Sequence, residues 1–444
     1  MNERQIERIL DRIGPSRVFR LLLLTACLGY LLDAFDNSLV GYAVPALAED
    51  FKLTDVTKGY ILSAGLWGGV IGQFAWGRFA EIRGRIHAFR GTVLMFAGFT
   101  GLTALAWSPL ALFSTRFLTG VGLAGFIPID TAMVSEFSAT NRRGRYTGLI
   151  AVLWPVGAML GLAVSLLILP RASWRWLFVA GALPAIVLWN MRRKIPESPR
   201  WLLTQNRSME AVQSLRQLGA TELMLEEEIN ASPDIPIVSN RLPSVSDAPP
   251  RHLMMRVFIA WCMWFANLYA SMSLIVWLPS IVNQVYHYSL INSLEYTLVI
   301  TAFGFFGRLI GVYLLDKTSR KFSLGYALFL AGVCMLALGY TANVHVAMIL
   351  AVSFYFFNEQ AGISQMAYIP ELFPTQIRVK GTAWCSASAR IVAATSPILV
   401  GYLLSAGHYR SIAMSLSMTL LVPWIIFVIW APEMRGKGLA AEIA

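Results

Sequence analysis

Asp33, Asp36, Arg116, Glu359 and Arg390 stand inside long apolar stretches of this 444-residue chain. A charge in such a place is expensive and is a functional hypothesis by default. Asp33 and Asp36 are three residues apart and share a helix face. Asp36 falls 16 residues after Arg20 and 13 before Glu49, ~24 Å and ~20 Å along a helix, which puts it near the middle of its run. Arg116 lies seven residues past Pro109, ~10 Å deep, a depth from which it can reach Asp36. A carboxylate beside a guanidinium stays ionised, and one parted from it takes a proton more readily. The pair therefore suits proton coupling, and the alternative is a static ion pair tying two helices together. Glu359 is equally central, 16 residues from Asn343 and 15 from Pro374. Arg390 lies ten residues past Lys380, ~15 Å deep. Either Arg390 holds a substrate anion, since a guanidinium matches a carboxylate, or it pairs with Glu359. Asn358, Gln360, Gln365 and Asn267 can hydrogen-bond a substrate or a neighbouring helix. Trp154 and Tyr355, near mid-span, are expected to line a cavity. Arg308 lies eight residues, ~12 Å, before Asp316, so it can serve a site or snorkel to the surface. Asp130 is six residues from Glu136 and is expected on the cytoplasmic side with it.

The elements that hold these groups follow from composition. The chain is 56% hydrophobic and only 14% charged, with a mean hydropathy of +0.59. A soluble chain carries nearer a quarter charged residues, and a membrane β-barrel would show short alternating segments. Continuous apolar runs instead predict an all-α polytopic membrane protein. Twelve spans are expected, at roughly 18–47, 58–79, 88–108, 110–135, 146–170, 174–192, 256–282, 293–315, 322–341, 344–368, 382–406 and 411–431; they are numbered 1 to 12 below. Of the 36 Lys and Arg, 28 fall in the termini and the loops on one side, five in the loops on the other, and three within spans. This split predicts both termini in the cytoplasm. The net charge of +11 is thereby explained without nucleic acid. Residues 1–20 are charged and the run after them is long, so no cleavable signal is expected. Cys27, Cys262, Cys334 and Cys385 lie in apolar runs without metal spacing and read as small core residues.

The only long polar stretch is 194–255. Residues 205–229 have an amphipathic helical pattern, and 230–252 contain Pro233, Pro236, Pro243, Pro249 and Pro250, a linker composition. The organisation expected is an N-terminal six-helix half over 1–203, a cytoplasmic linker over 204–255 and a C-terminal six-helix half over 256–444. The halves echo one another: Glu81 and Asp316, Arg85 and Arg320, Glu136 and Glu371, and Arg143 and Arg378 are each 235 residues apart. A parallel repeat of this kind is the plan of many secondary transporters, with the substrate site between the halves. The recurring acids and bases fall at cytoplasmic helix ends. There they can latch the halves in one of two states, or merely anchor helix ends.

Several segments resemble the major facilitator superfamily. Gly77-Arg78-Phe79-Ala80-Glu81-Ile82-Arg83-Gly84-Arg85 resembles its loop signature G-x-L-x-D-R-x-G-R, with Glu81 in place of Asp. In the second copy, Asp316 to Lys321, Ser319 stands where Gly is usual. Arg116 to Gly125 resembles the fourth-helix R-x-x-x-G-x-G motif. Pro196-Glu197-Ser198-Pro199-Arg200-Trp201-Leu202, Pro370 to Pro374 with Arg378 and Gly381, and Pro432 to Lys437 resemble the motifs that close the sixth, tenth and twelfth helices of sugar porters and related metabolite–proton symporters. Asp33-Ala34-Phe35-Asp36 is similar to the D-G-x-D of aromatic-acid–proton symporters, with Ala34 in place of Gly. The resemblance implies a twelve-helix major facilitator fold, and a proton-coupling pair at the positions of Asp36 and Arg116.

The function expected is secondary active transport, not enzymatic catalysis. A small organic solute, such as an aromatic acid, moves with protons by alternating access, and protonation of Asp36 frees Arg116. The alternatives are a pH-independent facilitator or exporter of sugars, organic cations or drugs, and a non-transporting receptor on the same fold. No G-x-x-x-x-G-K-[ST] cradle occurs, so the drive expected is the proton gradient, with no cofactor. The five histidines sit at span ends or in loops, which leaves proton carriage to carboxylates. Asp33, Asp36 and Arg116 are thus assigned to proton coupling. Arg390, Glu359, Asn358, Asn267, Trp154 and Tyr355 are assigned to substrate, and Glu81, Arg85, Glu136, Arg143, Asp316, Arg320, Glu371 and Arg378 to gating. The partners expected are the solute, protons and the lipid of an inner membrane, with the monomer as the working unit and no nucleic acid.

Overall fold

A computed structural model of the chain describes residues 3–138, 143–230, 251–341, 343–373 and 378–433. Among these the secondary structure is helical, without strands. Span 1 runs Arg17–Phe51, span 2 Asp55–Arg83 and span 3 Arg85–Thr103. Span 4 is Pro109–Leu123 continued by Phe126–Phe137, span 5 is Arg143–Val152 continued by Trp154–Ile168, and span 6 is Arg175–Ala182 continued by Pro184–Arg192. In the second half spans 7 to 10 are Arg251–Tyr286, Leu290–Lys317, Arg320–Leu338 and Val344–Tyr368. Span 11 is Arg378–Ala393 continued by Ser396–Ser405, and span 12 is Tyr409–Trp430. Nine of these stretches, among the described residues, are long and apolar enough to cross a membrane.

Local sequence sets the ends and the breaks. Ser16, Thr54, Ser108, Ser289, Ser319 and Asn343 each precede a span and accept from the first free backbone N–H groups. The interruptions in spans 4, 5, 6 and 11 come within four residues of Pro128, Pro155, Pro184 and Pro397. A proline has no N–H for the carbonyl one turn earlier, so the ladder opens there. Bulky apolar side chains such as Phe74, Leu94, Leu167, Ile186 and Ile349 are exposed, as expected of lipid-facing helix surfaces.

The face of the bundle that carries residues 193–230 is called the linker face here. Its motif Pro196-Glu197-Ser198-Pro199 has a plain physical role. Glu197 Oε1 and Oε2 accept from the backbone N–H groups of Arg85 and Ile86, each at 3.0 Å, and so cap span 3. Gly84, at φ +94°, makes the approach possible, because a Cβ there would lie 2.4 Å from Glu197 Oε2. Trp201 Nε1 donates to the carbonyl of Glu81 at 2.8 Å. The amphipathic stretch of the linker forms two helices, Ser208–Leu218 and Glu222–Asn230, divided at Gly219, which adopts φ +109°.

The N-terminal segment, expected only to be charged, is a helix, Glu3–Ile13. Its Ile6, Ile9 and Leu10 are buried in a cluster with Leu215, Leu218 and Leu225 of the linker helices. Arg8 pairs with Glu228 at 3.0 Å and Arg12 with Glu227 at 2.9 Å. The i, i+3, i+4 spacing of these three apolar residues was the available signal.

On the opposite face the two halves meet backbone to backbone. A Cβ on Gly41 of span 1 would lie 2.7 Å from the carbonyl of Val276 in span 7, and one on Gly59 of span 2 would lie 2.7 Å from the carbonyl of Pro397 in span 11. Gln284 of span 7 also donates to Asp55 of span 2, at 3.1 Å.

Candidate functional site

A cavity of about 260 Å³ lies between the halves. Spans 1, 2, 4 and 5 form one wall and spans 7, 8, 10 and 11 the other. Gly65, Gly69 and Gly120 leave the first wall smooth, while Tyr30, Trp154 and Trp264 supply aromatic surface. The wall reaches toward the linker face at Ile127 and Met366.

Three ion pairs are buried in the bundle, and one of them, Arg308 with Glu359, lines this space. Arg116 grips Asp36 at 2.6 Å and 3.2 Å, and Thr100 donates to the same carboxylate at 3.2 Å. Arg116 also reaches the Asp36 carbonyl at 3.3 Å and lies over the Phe178 ring. Asp36 is wholly enclosed and does not form part of the cavity wall. Helix depth along the sequence suggested this meeting of spans 1 and 4, and the tertiary structure brings it about.

In the second half, Glu359 pairs with Arg308, which also donates to the carbonyl of Ala151 at 2.6 Å. Arg308 therefore does not snorkel, and the alternative pairing of Glu359 with Arg390 does not form. Span 8 packs along span 10 with Gly304, Gly307 and Gly311 against it, which brings Arg308 to the level of Glu359. Arg390 lines the cavity and has no ion-pair or hydrogen-bond partner among the described residues.

The third pair is Asp130 with Arg192, which bonds Thr25 at 2.8 Å and sits over the Phe89 ring. Asp130 was expected beside Glu136 at the cytoplasmic side. It is fully buried between spans 1, 4 and 6, where Gly29 leaves room for its carboxylate, and its partner Arg192 is the last residue of span 6, next to the linker face.

The remaining substrate assignments divide. Asn267, Glu359, Trp154 and Arg390 line the cavity, as do Asp33, Asn37 and Ser271. Asn37 donates to Asp33 at 3.2 Å. Asn358 and Tyr355 do not reach the wall. Asn358 is fully buried, donating to Ser271 at 2.6 Å and accepting from Asn267 at 3.3 Å. Tyr355 is buried against Gly304. Gln360 turns to Tyr326 and Gln365 is buried away from the cavity. Trp264 is not among the residues assigned to substrate from the sequence. Its Nε1 is a buried donor without a partner, on a residue that lines the cavity.

The linker-face charges pair within each half. Arg85 of span 3 meets Glu136 of span 4 at 2.8 Å, and Arg320 of span 9 meets Glu371 just after span 10. Glu81 lies outside that pairing and meets the exposed Arg78 at 3.3 Å. The side chains of Arg143, Asp316 and Arg378 lie outside the described residues. In this state, then, Arg85–Glu136 and Arg320–Glu371 each join neighbouring helix ends of one half.

A family model for the Major Facilitator Superfamily matches residues 26–365. The chain belongs to this superfamily. It is accordingly a multi-pass membrane transporter and not an enzyme. Among relatives, the niacin transporter NiaP of Acinetobacter baylyi is 28% identical over 419 residues, covering 94% of this chain and 95% of that one. The benzoate transport protein of the same organism is 24% identical over 397 residues, covering 87% of this chain and 84% of that one. Among solved structures, the xylose transporter XylE from E. coli, in a partially occluded inward-open conformation, superimposes with a TM-score of 0.73. It is 16% identical, covers 95% of this chain and 100% of that one, and speaks to the fold of this major facilitator alone.

Proposed function

We propose that this transporter carries a small aromatic carboxylate together with protons into the cell, as a monomer in the inner membrane with both termini cytoplasmic. The observation that carries the proposal is the unpaired Arg390 guanidinium on a cavity wall that also bears Trp154, Trp264 and Tyr30. A guanidinium in an enclosed space binds a carboxylate with two parallel hydrogen bonds. Aromatic walls suit a flat ring. Niacin and benzoate, which two relatives are named for, are both aromatic acids small enough for such a cavity. Trp264 Nε1 and the Asn267 amide are further partners for the solute. The proton is carried at the span 1 carboxylates, by Asp33 or by Asp36 with its partner Arg116.

The halves 1–203 and 256–444 rock about the cavity, joined by the linker 204–255. The basic excess of the loops on the linker face supports a cytoplasmic placing of that face. The pairs Arg85–Glu136 and Arg320–Glu371, with Glu81, Arg143, Asp316 and Arg378, act at the gate by exchanging partners as the linker face closes.

The test is lumenal pH in proteoliposomes given benzoate, nicotinate, aliphatic acids, sugars and organic cations in turn. Acidification beyond that of protein-free vesicles, produced by an aromatic acid and lost in Arg390→Gln, is the expected result. Tracer uptake of an acid with no pH change would make the protein a facilitator. A response to sugars or cations alone would overturn the acid assignment.

A further inference from the structure

Two ionisable groups on the cavity wall stand outside the tight ion pairs: Asp33 on span 1 and Arg390 on span 11. They do not form an ion pair, and Arg390 acts on Asp33 electrostatically from across the cavity. We infer that Asp33, rather than Asp36, takes up the transported proton, and that it does so in exchange for substrate at Arg390, one proton for each monocarboxylate. This rests on the acid-transport reading given above.

The charges around Asp33 can be counted element by element. On its own helix stand Tyr30 and Asp36, and Asp36 is cancelled by Arg116 of span 4. Span 8 contributes Arg308 and span 10 contributes Glu359, which cancel each other. Spans 2, 5 and 7 present uncharged residues to the cavity, among them Trp154, Trp264 and Asn267. Only Asp33 and Arg390 remain, so the empty cavity is neutral when both are ionised.

A monocarboxylate entering alone would leave a net negative charge in an enclosed, weakly polar space, which is strongly unfavourable. A proton on the Asp33 carboxylate restores neutrality and removes the charge that competes for Arg390. The balance closes: the Asp33 carboxylate gains H⁺ and becomes the acid, the substrate anion takes its place beside the guanidinium, and the only covalent bond formed is O–H. Release on the other side reverses both events. Loaded and empty cavities are each neutral, so neither crossing moves net charge.

Asp36 is poorly placed for the same task. It accepts two hydrogen bonds from Arg116 and one from Thr100, is wholly enclosed, and is absent from the wall. Its protonation would also strand the Arg116 guanidinium, itself fully buried. Glu359 is held by Arg308 in the same way.

The experiment uses the purified full-length protein and benzoate, which stays ionised from about pH 6 to pH 8. Binding is followed by intrinsic tryptophan fluorescence, and proton uptake by a dye in weak buffer. In the wild type the dissociation constant should rise by up to roughly tenfold for each pH unit, with about one proton taken up per benzoate bound. Asp33→Asn should still bind, with a change of less than about twofold over the whole range, because Arg390 then has no titrating competitor. An imposed potential of ~100 mV should leave the initial uptake rate of the wild type within about twofold. Binding without proton uptake in the wild type overturns the inference while leaving the acid substrate intact, and needs no variant. A pH slope kept in Asp33→Asn and lost in Asp36→Asn also overturns it. No binding of benzoate or nicotinate at any pH overturns the acid reading and this inference with it.

Discussion

Arg308 on span 8 donates a 2.6 Å hydrogen bond to the carbonyl of Ala151 on span 5. That acceptor is free because Pro155, one helical turn later, has no N–H to offer it. A proline in one half thus creates the acceptor for an arginine of the other half, and the same arginine neutralises Glu359. The C-terminal ion pair is tethered across the cavity to the N-terminal half by one backbone oxygen.

Replacing Pro155 with Ala supplies the missing N–H and competes for that oxygen. A hydrogen bond to a charged group contributes about 1.5–3 kcal/mol, so its loss should move the population of this state by at least about tenfold. Spin labels at Arg78 and Phe322, on the linker-face ends of spans 2 and 9, would report this as a shift toward shorter distances. An unchanged distribution would show that the tether does not bias the conformational equilibrium.

The close approaches at Gly41 and Gly59 predict a second, opposite trap. A leucine at either position cannot fit against the carbonyls of Val276 or Pro397, each only 2.7 Å from where its Cβ would lie. Gly41→Leu and Gly59→Leu should favour a state open on the face away from the linker and slow substrate exchange by tenfold or more. A thiol placed at Gly65 should become reactive to a membrane-impermeant reagent added from that face. Wild-type exchange in both variants would mean that the contact opens without cost.

The Asp36–Arg116 pair is buried, so breaking it leaves a lone charge. Arg116→Leu alone should lower stability by about 3–5 kcal/mol, and Asp36→Leu by a similar amount. The double variant, with no charge left over, should recover much of the loss. Thermal unfolding of the purified proteins checks this, and additive effects in the double variant would exclude a mutually neutralising pair.

The N-terminal helix makes a fourth case. Glu228→Arg should loosen its dock on the linker helices by placing like charges beside Arg8 and Arg12. The pairs are partly exposed, so the effect is about 1 kcal/mol. It should appear as faster proteolysis near Ile13, and Arg8→Glu in the same chain should restore protection. Equal cleavage rates in all three proteins would show that burial of Ile6, Ile9 and Leu10 alone holds the helix.

The membrane class, the positions of the helical runs and the depths of Asp36 and Arg116 were legible in the chain alone. All of these are properties along a single helix axis, fixed by hydropathy and by the 1.5 Å rise per residue. The depth of Asp36 and of Arg116 was enough to bring the pair into view. What the tertiary structure alone decided is the direction each side chain takes around its axis. Asp33 and Asp36 share a face on the helical wheel, yet they differ by about 60° in azimuth. Packing uses that difference to put one on the cavity and the other on Arg116. The same holds in span 10, where Glu359 reaches the wall while its neighbour Asn358 is turned into the bundle. By sequence the partner considered for Glu359 was Arg390, and Arg308 takes that place instead. The glycines of span 8 settled the matter by letting spans 8 and 10 approach, an effect that exists only between helices.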